Sequence, residues 1–334
     1  MSEVGYLLVN FGGPRTLSEV EPFLRALLTD KDVVRTKFPQ PIHNLLFNRI
    51  AKKRAKKVSH DYDEIGGGSP IFADTEYVAE ELRKRLDAPV FTFHRYLPET
   101  HAASLAAIEK FAHPEIRVFP MFPQFTYATT GSIARFFQEK LIPTARKKLK
   151  WCKSYPTHPA FAGVFQKIIR EFLEEKQLAE EDVVLLFSAH GIPRSFVDTG
   201  DLYEYECRAS FQKVMEAFPE ALGRLCFQSK FGPGEWLRPY TQDACEEIEL
   251  WNEGRKHVLF IPISFTSDHI ETLFEIEREY LPLITQKGLE AYRLPAPNRR
   301  DDWIAAIVSI LLEFVPTSSC MLVRGTCARN CCPK

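Results

Sequence analysis

The amino-acid sequence predicts an α/β protein with two doubly wound parallel-sheet domains. The chain has 334 residues, and a single domain usually contains about 100–200. In each half of the chain, short apolar runs are followed by turn residues and then by helical periodicity. The runs are continuous rather than alternating, which is typical of parallel strands that are buried on both faces of a sheet.

The first half contains three predicted strands, at residues 6–10, 90–93 and 116–122. The first strand runs into the turn FGGP at 11–14. Thr16 and Glu19 then have the spacing of a capping box, which would open a helix. The apolar face of that helix would be formed by Val20, Phe23, Leu24 and Leu27.

The second half repeats the pattern, with predicted strands at residues 183–187, 225–227 and 258–265. We place the crossover between the domains near residues 151–160. We expect an N-terminal domain at 1–155 that carries a lid at about 31–60, and a C-terminal domain at 156–300. A helix at 301–316 would return to the first domain, and a cysteine-rich tail would follow at 317–334.

The segment predicted as a lid differs from the rest of the first half. It has apolar residues first and then six basic residues within nine positions: Phe38, Leu45, Leu46 and Phe47, then Arg49, Lys52, Lys53, Arg54, Lys56 and Lys57. An ordinary solvated helix face would explain this pattern. A lid that is apolar on one side and basic on the other would also explain it, and would suit an amphipathic anionic ligand or peripheral contact with a membrane.

The charge balance argues against a general nucleic-acid binder. Lys and Arg number 43 and Asp and Glu number 44, a net charge of −1, whereas nucleic-acid binders show a strong basic excess. The apolar runs are shorter than the ~18–20 residues of a transmembrane helix, and the N-terminal residues do not resemble a signal peptide. We therefore expect a cytoplasmic protein, in which clustered cysteines are metal ligands or redox groups rather than disulfides.

His190 is the first candidate for chemistry. Ligands of open parallel sheets bind at the carboxyl ends of the strands, and His190 comes three residues after the strand predicted at 183–187, in the segment FSAHGIP. A neutral imidazole there can accept a proton near pH 7 or bind a metal of intermediate softness. A structural histidine with satisfied hydrogen bonds is the alternative.

Three acidic residues follow the strand predicted at 258–265. If a helix starts near Ser267, then Asp268, Glu271 and Glu275 share one of its faces. Like charges at i and i+4 destabilise a helix, so protons or a divalent cation would be expected to offset them. The alternatives are that Asp268 interacts with the helix dipole and that the glutamates form a solvated face.

Two further turns supply groups that can bind anions. GGGSP at 66–70 is a glycine-rich turn, but it lacks the Lys-Ser/Thr of a P-loop, so it is a weak indication of nucleotide binding. The segment FTYATTGS at 125–132 offers hydroxyl and main-chain N–H groups ahead of a helix, which suits a carboxylate.

Taken together, six segments resemble the motif series of ferrochelatase, in the family's order: NFGGP, IGGGSP, FPQFTYATTGS, FSAHGIP, FQSKFGPGEWL and PISFTSDHIETLFEIE. The resemblance implies two Rossmann-like domains with a porphyrin cleft between them, the class II chelatase type of fold. It implies the terminal step of haem synthesis, in which Fe²⁺ enters a porphyrin and two protons leave. The partners would be a porphyrin and ferrous iron.

The resemblance also assigns residues. The catalytic and proton-carrying positions would be His190, Glu271, Asp268, His269 and Glu275, with His190 and Glu271 also facing the substrate metal. The porphyrin-binding positions would be Phe11, Lys53, Arg54, Arg95, Tyr96, Trp236 and Phe265. The chemistry agrees, because imidazole can take pyrrole protons and Fe²⁺ suits His and carboxylate ligands.

The tail holds four of the eight cysteines, Cys320, Cys327, Cys331 and Cys332. Some members of the family carry a [2Fe–2S] cluster on C-terminal cysteines and one internal cysteine, and the spacing here suits such a cluster. Where the animal pattern has its internal cysteine, this chain has Tyr127. Cys152 is our first choice for the fourth ligand. A zinc site and an unstructured thiol tail are the alternatives.

Three other functions remain open from the sequence. The first is a related chelatase for another tetrapyrrole or metal, the second a non-catalytic porphyrin or haem carrier, and the third a nucleotide-dependent transferase. The retention of both His190 and Glu271 disfavours a carrier, and the missing phosphate motif disfavours a transferase. The sequence does not choose between protoporphyrin IX and coproporphyrin III.

Overall fold

A computed structural model describes residues 3–317 and 319–324 of the chain. These residues form two compact units. The first consists of the chain up to residue 154 together with the residues from 308 onward, and the second of residues 155–307. Each unit contains one four-stranded parallel sheet with flanking helices, so the predicted α/β fold class is confirmed.

The first unit is built around β1, the second strand of a sheet with the order β2-β1-β3-β4. The strands are Val4–Asn10 (β1), Val90–His94 (β2), Glu115–Pro120 (β3) and Leu149–Trp151 (β4). Leu7 is in register with Phe91 and Val118, and Leu7, Phe93 and Val118 are completely buried. Burial of each such side chain contributes about 1.5–3 kcal/mol to stability.

The second unit is built around β5, in a sheet with the order β6-β5-β7-β8. Its strands are Val183–His190 (β5), Leu222–Gln228 (β6), His257–Ile261 (β7) and Glu290–Arg293 (β8). The first seven residues of β5 are fully buried. Because all pairs are parallel, His190 and Gln228 lie side by side at the carboxyl edge of this sheet.

Thirteen α-helices connect and flank the strands in the described residues: Val20–Leu28 (α1), Gln40–Glu64 (α2), Ile71–Leu86 (α3), Pro98–Lys110 (α4), Ser132–Lys140 (α5), Pro143–Lys148 (α6), Pro159–Lys176 (α7), Arg194–Val197 (α8), Tyr203–Met215 (α9), Thr241–Glu246 (α10), Leu281–Thr285 (α11), Asp301–Glu313 (α12) and Ser319–Leu322 (α13). Two π-helices precede α5 and α11, at Tyr127–Gly131 and Glu271–Tyr280. Single 3₁₀ turns occupy Leu17–Glu19, Glu180–Asp182 and Ile248–Leu250. No helix in the described part of the chain is long and apolar enough to span a membrane.

Two predicted boundaries near the acidic residues are wrong. The strand predicted at 258–265 ends at Ile261, because Pro262 has no N–H to continue the ladder. The helix expected near Ser267 begins at Ile270 and continues as the π-helix Glu271–Tyr280. Asp268 therefore lies before the helix rather than on its face.

The predicted capping box is also wrong. The Thr16 hydroxyl makes no capping hydrogen bond to a main-chain N–H of the following turn and is paired with the Ser18 hydroxyl at 2.8 Å. The Glu19 carboxylate instead accepts a hydrogen bond from the main-chain N–H of Arg15, at 2.8 Å. On α1, Leu28 rather than Leu27 is buried beside Val20.

The glycines of the two motifs at 11–14 and 66–70 allow these turns to pack together. A Cβ on Gly13 would come within 2.5 Å of Ser69, and one on Gly68 within 2.5 Å of the Arg15 carbonyl oxygen. The Ser69 N–H donates to the Pro14 carbonyl at 2.7 Å. Close main-chain approach thus accounts for the small residues, and no phosphate ligand is needed to explain them.

Candidate functional site

His190 is the last residue of β5 and is held from its main chain. Its N–H donates a hydrogen bond to Ser264 Oγ at 3.0 Å. The next N–H, that of Gly191, donates to the carbonyl of Gln228 at 2.8 Å. The imidazole therefore extends from a fixed strand end, at the edge where open parallel sheets bind ligands.

Glu271 is the partner of His190. Glu271 Oε2 lies 2.9 Å from His190 Nδ1 and 3.4 Å from His269 Nε2. Glu271 is the first residue of the π-helix, an uncommon geometry that is frequent at functional sites. Two imidazoles thus converge on one carboxylate.

The His190–Glu271 contact changes the acidity of both groups. Burial lowers the pKa of His190, but the negative charge and hydrogen bond of Glu271 outweigh burial, and the net pKa is raised above 6.5. Burial raises the pKa of Glu271, but the neighbouring His190 and His269 hold that pKa well below its usual range. The pair therefore favours an ionised carboxylate beside an imidazole that takes up a proton more readily than free histidine.

Glu275 is held by hydrogen-bond donors on both carboxylate oxygens. Oε1 accepts from the Ser229 N–H at 2.8 Å and from the Tyr280 hydroxyl. Oε2 accepts from Gln228 Nε2 at 3.0 Å and from the Ser229 hydroxyl. A carboxylate has about four lone-pair sites, so these four donors occupy them all. The charge of Glu275 also contributes to the raised pKa of His190.

Asp268 faces different partners from Glu271. Its carboxylate is buried and accepts from Arg293 Nη1 at 2.9 Å, Asn298 Nδ2 at 2.8 Å and Thr272 Oγ1 at 2.8 Å. It anchors the loop that precedes the π-helix. Of the three acidic residues predicted to share a face, Glu271 is the one that contacts His190.

Aromatic rings from two predicted positions lie close to this site in the second unit. The rings of Phe265 and His269 are 4.8 Å apart. Trp236 pairs with Pro193 through an isolated β-bridge and is nearly buried. Apolar surface is thus present beside the polar cluster.

In the first unit, Arg95 and Tyr96 form a cluster with a buried carboxylate. Asp30 Oδ2 accepts hydrogen bonds from Arg95 Nη2 at 2.7 Å, Tyr96 Oη at 3.0 Å and Ser132 Oγ at 2.5 Å. The ring of Phe11 is 4.5 Å from that of Tyr96. Burial, followed by the charge of Asp30, raises the pKa of Tyr96 well above its usual value. The predicted porphyrin-binding residues Phe11, Arg95 and Tyr96 are therefore together, and Asp30 holds Arg95 and Tyr96 by hydrogen bonds.

The 25-residue helix α2 occupies most of the predicted lid and extends past its predicted end to Glu64, with Lys53 exposed and Arg54 half-buried. Burial lowers the pKa of Arg54. The exposed residues of α2 continue along one face at helical spacing: Ile42, Leu45, Leu46, Arg49, Lys52, Lys53, Lys56 and Lys57. Leu45 and Leu46 therefore share one face with the basic residues, so the predicted separation into an apolar and a basic side is wrong for them, whereas Phe47 is buried on the other side of the helix.

Of the candidate cluster ligands, Cys152 is described in full. It is buried directly after β4, and its N–H donates to the Val118 carbonyl at 2.9 Å. The main chain of Cys320 lies in α13. The Cys320 side chain and the residues Cys327, Cys331 and Cys332 lie outside what the structure describes. Within the described residues, no three His, Cys, Asp or Glu side chains are grouped as a metal site requires.

Sequence reasoning missed several residues that shape the two clusters. Gln228 and Ser229 bond to Glu275, and Ser264 bonds to His190. Gln228 could have been found, because it lies just past the end of the strand predicted at 225–227, the criterion that identified His190. Asp30 gave no signal in the sequence, since its partner Arg95 is 65 residues away. Of the segment at 125–132, which was expected to suit a carboxylate, Ser132 donates to the carboxylate of Asp30.

Solved structures of chelatases share this fold. CbiX, described as the terminal enzyme for biosynthesis of sirohaem in denitrifying bacteria, superposes with a TM-score of 0.51 at 17% identity, covering 93% of this chain and 100% of CbiX. SirB from Bacillus subtilis with cobalt superposes with a TM-score of 0.52 at 13% identity, covering 93% of this chain and 95% of SirB. At these identities the similarity establishes the class II chelatase fold alone.

Sequence comparison identifies the family. The family model described as ferrochelatase matches residues 3–314. The ferrochelatase of Chlamydia caviae is 46% identical over 306 residues, covering 92% of this chain and 94% of the relative. That of Chlamydia trachomatis serovar A is 44% identical over 308 residues, covering 92% and 95%. The chain therefore belongs to the ferrochelatase family.

Proposed function

We propose that the His190–Glu271 pair carries the reaction of this family, the insertion of Fe²⁺ into a porphyrin with release of two protons. The protein is accordingly an enzyme of haem biosynthesis, a ferro-lyase. The observation that carries the proposal is the 2.9 Å contact between His190 Nδ1 and Glu271 Oε2 at the carboxyl end of β5.

The contact determines which imidazole nitrogen can act as a base. An ionised carboxylate has only acceptor sites, so His190 Nδ1 must carry the hydrogen that is shared with Glu271. In the neutral ring, the lone pair then lies on Nε2, which accepts a proton from a pyrrole N–H. The positive charge that forms on the ring is stabilised by Glu271, because opposite charges at this distance favour the protonated form.

His190 and Glu271 also have the ligand chemistry that ferrous iron requires. Imidazole nitrogen and carboxylate oxygen both suit Fe²⁺. We propose that Glu271 contacts the substrate iron and that His190 contacts it through Nε2 before that nitrogen accepts a pyrrole proton. The Nδ1 proton of His190 would then pass to the Glu271 carboxylate and on to His269, whose Nε2 lies 3.4 Å from Glu271 Oε2. Glu275 would act through its charge, since its lone pairs are already engaged, and Asp268 would act by holding the loop.

The porphyrin itself needs apolar walls and cationic groups for its propionates. We propose Phe11 and Phe265 as walls that the buried rings of Tyr96 and Trp236 support from behind, and Lys53, Arg54 and Arg95 as partners of the propionates. Arg95 already donates to Asp30, so a propionate near it would have to compete with that carboxylate.

A fluorescence-loss assay tests the proposal. Metal insertion quenches porphyrin fluorescence, so purified protein with Fe²⁺ and either protoporphyrin IX or coproporphyrin III should show repeated turnovers. The porphyrin into which iron is inserted at the higher rate is the preferred substrate. Binding without turnover would indicate a carrier instead, and turnover with cobalt but not iron would indicate a chelatase for another metal.

We further propose a [2Fe–2S] cluster on Cys152, Cys320, Cys327 and one or both of Cys331 and Cys332. The proposal is supported by the path of the tail. The Thr317 N–H donates to the carbonyl of Trp151, the residue before Cys152, at 2.9 Å. Leu322 belongs to the same apolar core as Trp151. The cysteine that follows β4 and the main chain that leads to the tail cysteines are therefore neighbours. A zinc site is the competing assignment.

We also propose a cytoplasmic enzyme that touches membranes through α2. The support is the exposed apolar first part of α2 and its basic continuation, a combination that favours anionic lipid surfaces. Ile42 and Leu45 are 53% and 57% exposed.

A further inference from the structure

Gln228 is a buried polar residue to which the sequence assigns no role. It is the last residue of β6 and is 1% exposed. It lies in register with His190, and its carbonyl accepts the Gly191 N–H at 2.8 Å. A Cβ on Gly191 would come within 2.7 Å of that carbonyl, so the main chains of the two strand ends are held at close distance.

The side-chain amide of Gln228 uses both its oxygen and its nitrogen. Oε1 accepts from the Ser188 hydroxyl at 2.7 Å. Nε2 donates to the main-chain carbonyl of Glu271 at 2.7 Å and to Glu275 Oε2 at 3.0 Å. These bonds agree on which end of the amide is oxygen and which is nitrogen, since an amide has two N–H donors and an accepting oxygen.

These contacts connect the strand that carries His190 with the helix that carries Glu271. Ser188 lies two residues before His190 on β5, while the Glu271 carbonyl belongs to the first residue of the π-helix. Without the amide of Gln228, the first turn of that helix would lose a hydrogen bond at the residue that must reach His190.

We propose that Gln228 is a positioning residue that holds the Glu271 main chain so that the Glu271 carboxylate reaches His190. The inference rests on the proposed function of the His190–Glu271 pair. The hydrogen bonds of the Gln228 side chain go to Ser188, Glu271 and Glu275, so Gln228 acts through Glu271 and Glu275. Errors of about 1 Å in catalytic geometry are expected to cost up to about a hundredfold in rate.

Gln228→Met tests this role, because methionine fills a similar volume and forms no comparable hydrogen bonds. We expect kcat for Fe²⁺ insertion to fall at least tenfold, while KM for the porphyrin stays within about twofold. Gln228→Glu is the second variant and keeps an acceptor for Ser188 but removes both donors to the π-helix. We expect a similar loss of kcat in Gln228→Glu. This second variant tests the role if Gln228→Met does not fold.

Gln166→Met is the matched control. Gln166 is a half-buried glutamine of the same unit, and its Nε2 also donates to main-chain carbonyls, those of Lys213 and Val214 at 3.1 and 3.4 Å. We expect kcat and KM to stay within about twofold of wild type. A comparable fall of kcat in this control would show a general folding effect and overturn the role of Gln228.

A readout that does not depend on turnover separates this inference from the proposed function. The ring N–H signals of ¹⁵N-labelled histidine, with His190 assigned by His190→Gln, report the Nδ1–H bond to Glu271. We expect that signal to shift or disappear in Gln228→Met and to remain in Gln166→Met. An unchanged His190 signal, or an unchanged kcat in a folded Gln228 variant, would overturn the inference, whereas a wild type without turnover would contradict only the proposed function.

Discussion

His190 Nδ1 and Glu271 Oε2 lie 2.9 Å apart, although 81 residues separate them in the sequence. The histidine ends a buried strand and the glutamate begins a π-helix, so two rigid elements determine their separation. Rigid elements hold catalytic geometry better than loops do. The pair thus has the geometry of a base held in orientation by a carboxylate.

His190→Ala should abolish metal insertion while the protein still folds, because the substitution removes the base and leaves β5 intact. The measurement is turnover in the fluorescence-loss assay, with circular dichroism melting to confirm folding. Retention of more than about a tenth of wild-type turnover would contradict a central role for His190, because it corresponds to an increase of less than ~1.4 kcal/mol in the activation barrier. His113→Ala, a histidine of the first unit outside both clusters, is the control and should retain activity.

Glu271→Gln should move the pH dependence of the reaction. His190 must be neutral to accept a proton, so kcat/KM should rise with pH through the His190 pKa, which lies above 6.5 in the wild type. Removing the negative charge of Glu271 lowers that pKa, so the acidic limb should move to lower pH while kcat falls. The profile is measured between about pH 5 and 9. An acidic limb that stays in place would show that His190 is not the titrating base.

The sequence predicted which strands carry the candidate site better than it predicted the partners of its side chains. His190 and Glu271 could both be found because a parallel sheet carries its site at the carboxyl ends of strands, and the family resemblance then paired them. The face assigned to Asp268 was wrong, since it assumed α-helical spacing from Ser267. The structure instead has a π-helix, in which bonds join residues five apart, that begins after Asp268. Gln228 shows a further limit, because its partners come from two elements distant in the sequence.

Asp30→Ala should destabilise the first unit strongly. The Asp30 side chain is 7% exposed and that of Arg95 is 16% exposed, and removing one partner of a buried pair leaves the other charge uncompensated. We expect a loss of about 3–5 kcal/mol in the free energy of unfolding, measured by urea denaturation. Glu21→Ala removes the partner of Arg25 in an exposed pair on α1 and should cost less than about 1 kcal/mol. Equal losses in the two variants would contradict the structural role of Asp30.

The proposed cluster predicts colour and composition. Purified wild-type protein should be brown and should contain iron and acid-labile sulfide, because sulfide accompanies iron in a [2Fe–2S] cluster. Cys152→Ala should lose both, whereas Cys245→Ala, at another buried free cysteine, should keep them. Colourless protein without iron or sulfide would refute the cluster, and zinc in its place would identify a structural metal site. A Cys152→Ala variant that keeps its cluster would exclude Cys152 as the fourth ligand.

Membrane contact through α2 predicts a charge-dependent and side-chain-specific affinity for vesicles. Leu45 is exposed on the apolar first part of α2, and Lys53 follows on the same face. Burial of one leucine contributes about 1.5–3 kcal/mol, so Leu45→Glu should weaken sedimentation with phosphatidylserine vesicles by at least about tenfold. Lys53→Glu should weaken binding less than Leu45→Glu does. Added salt should reduce the difference between Lys53→Glu and the wild type, because screening acts on exposed charges.

Leu250→Glu provides the control for the α2 prediction, since Leu250 is 83% exposed in the second unit and lies outside α2. If hydrophobic exposure in general caused vesicle binding, Leu250→Glu and Leu45→Glu would weaken it equally. Contact through α2 instead requires that Leu250→Glu binds as the wild type does. Wild-type protein that stays in the supernatant with anionic vesicles would contradict the contact outright, and the exposed apolar part of α2 would then have to serve the porphyrin alone.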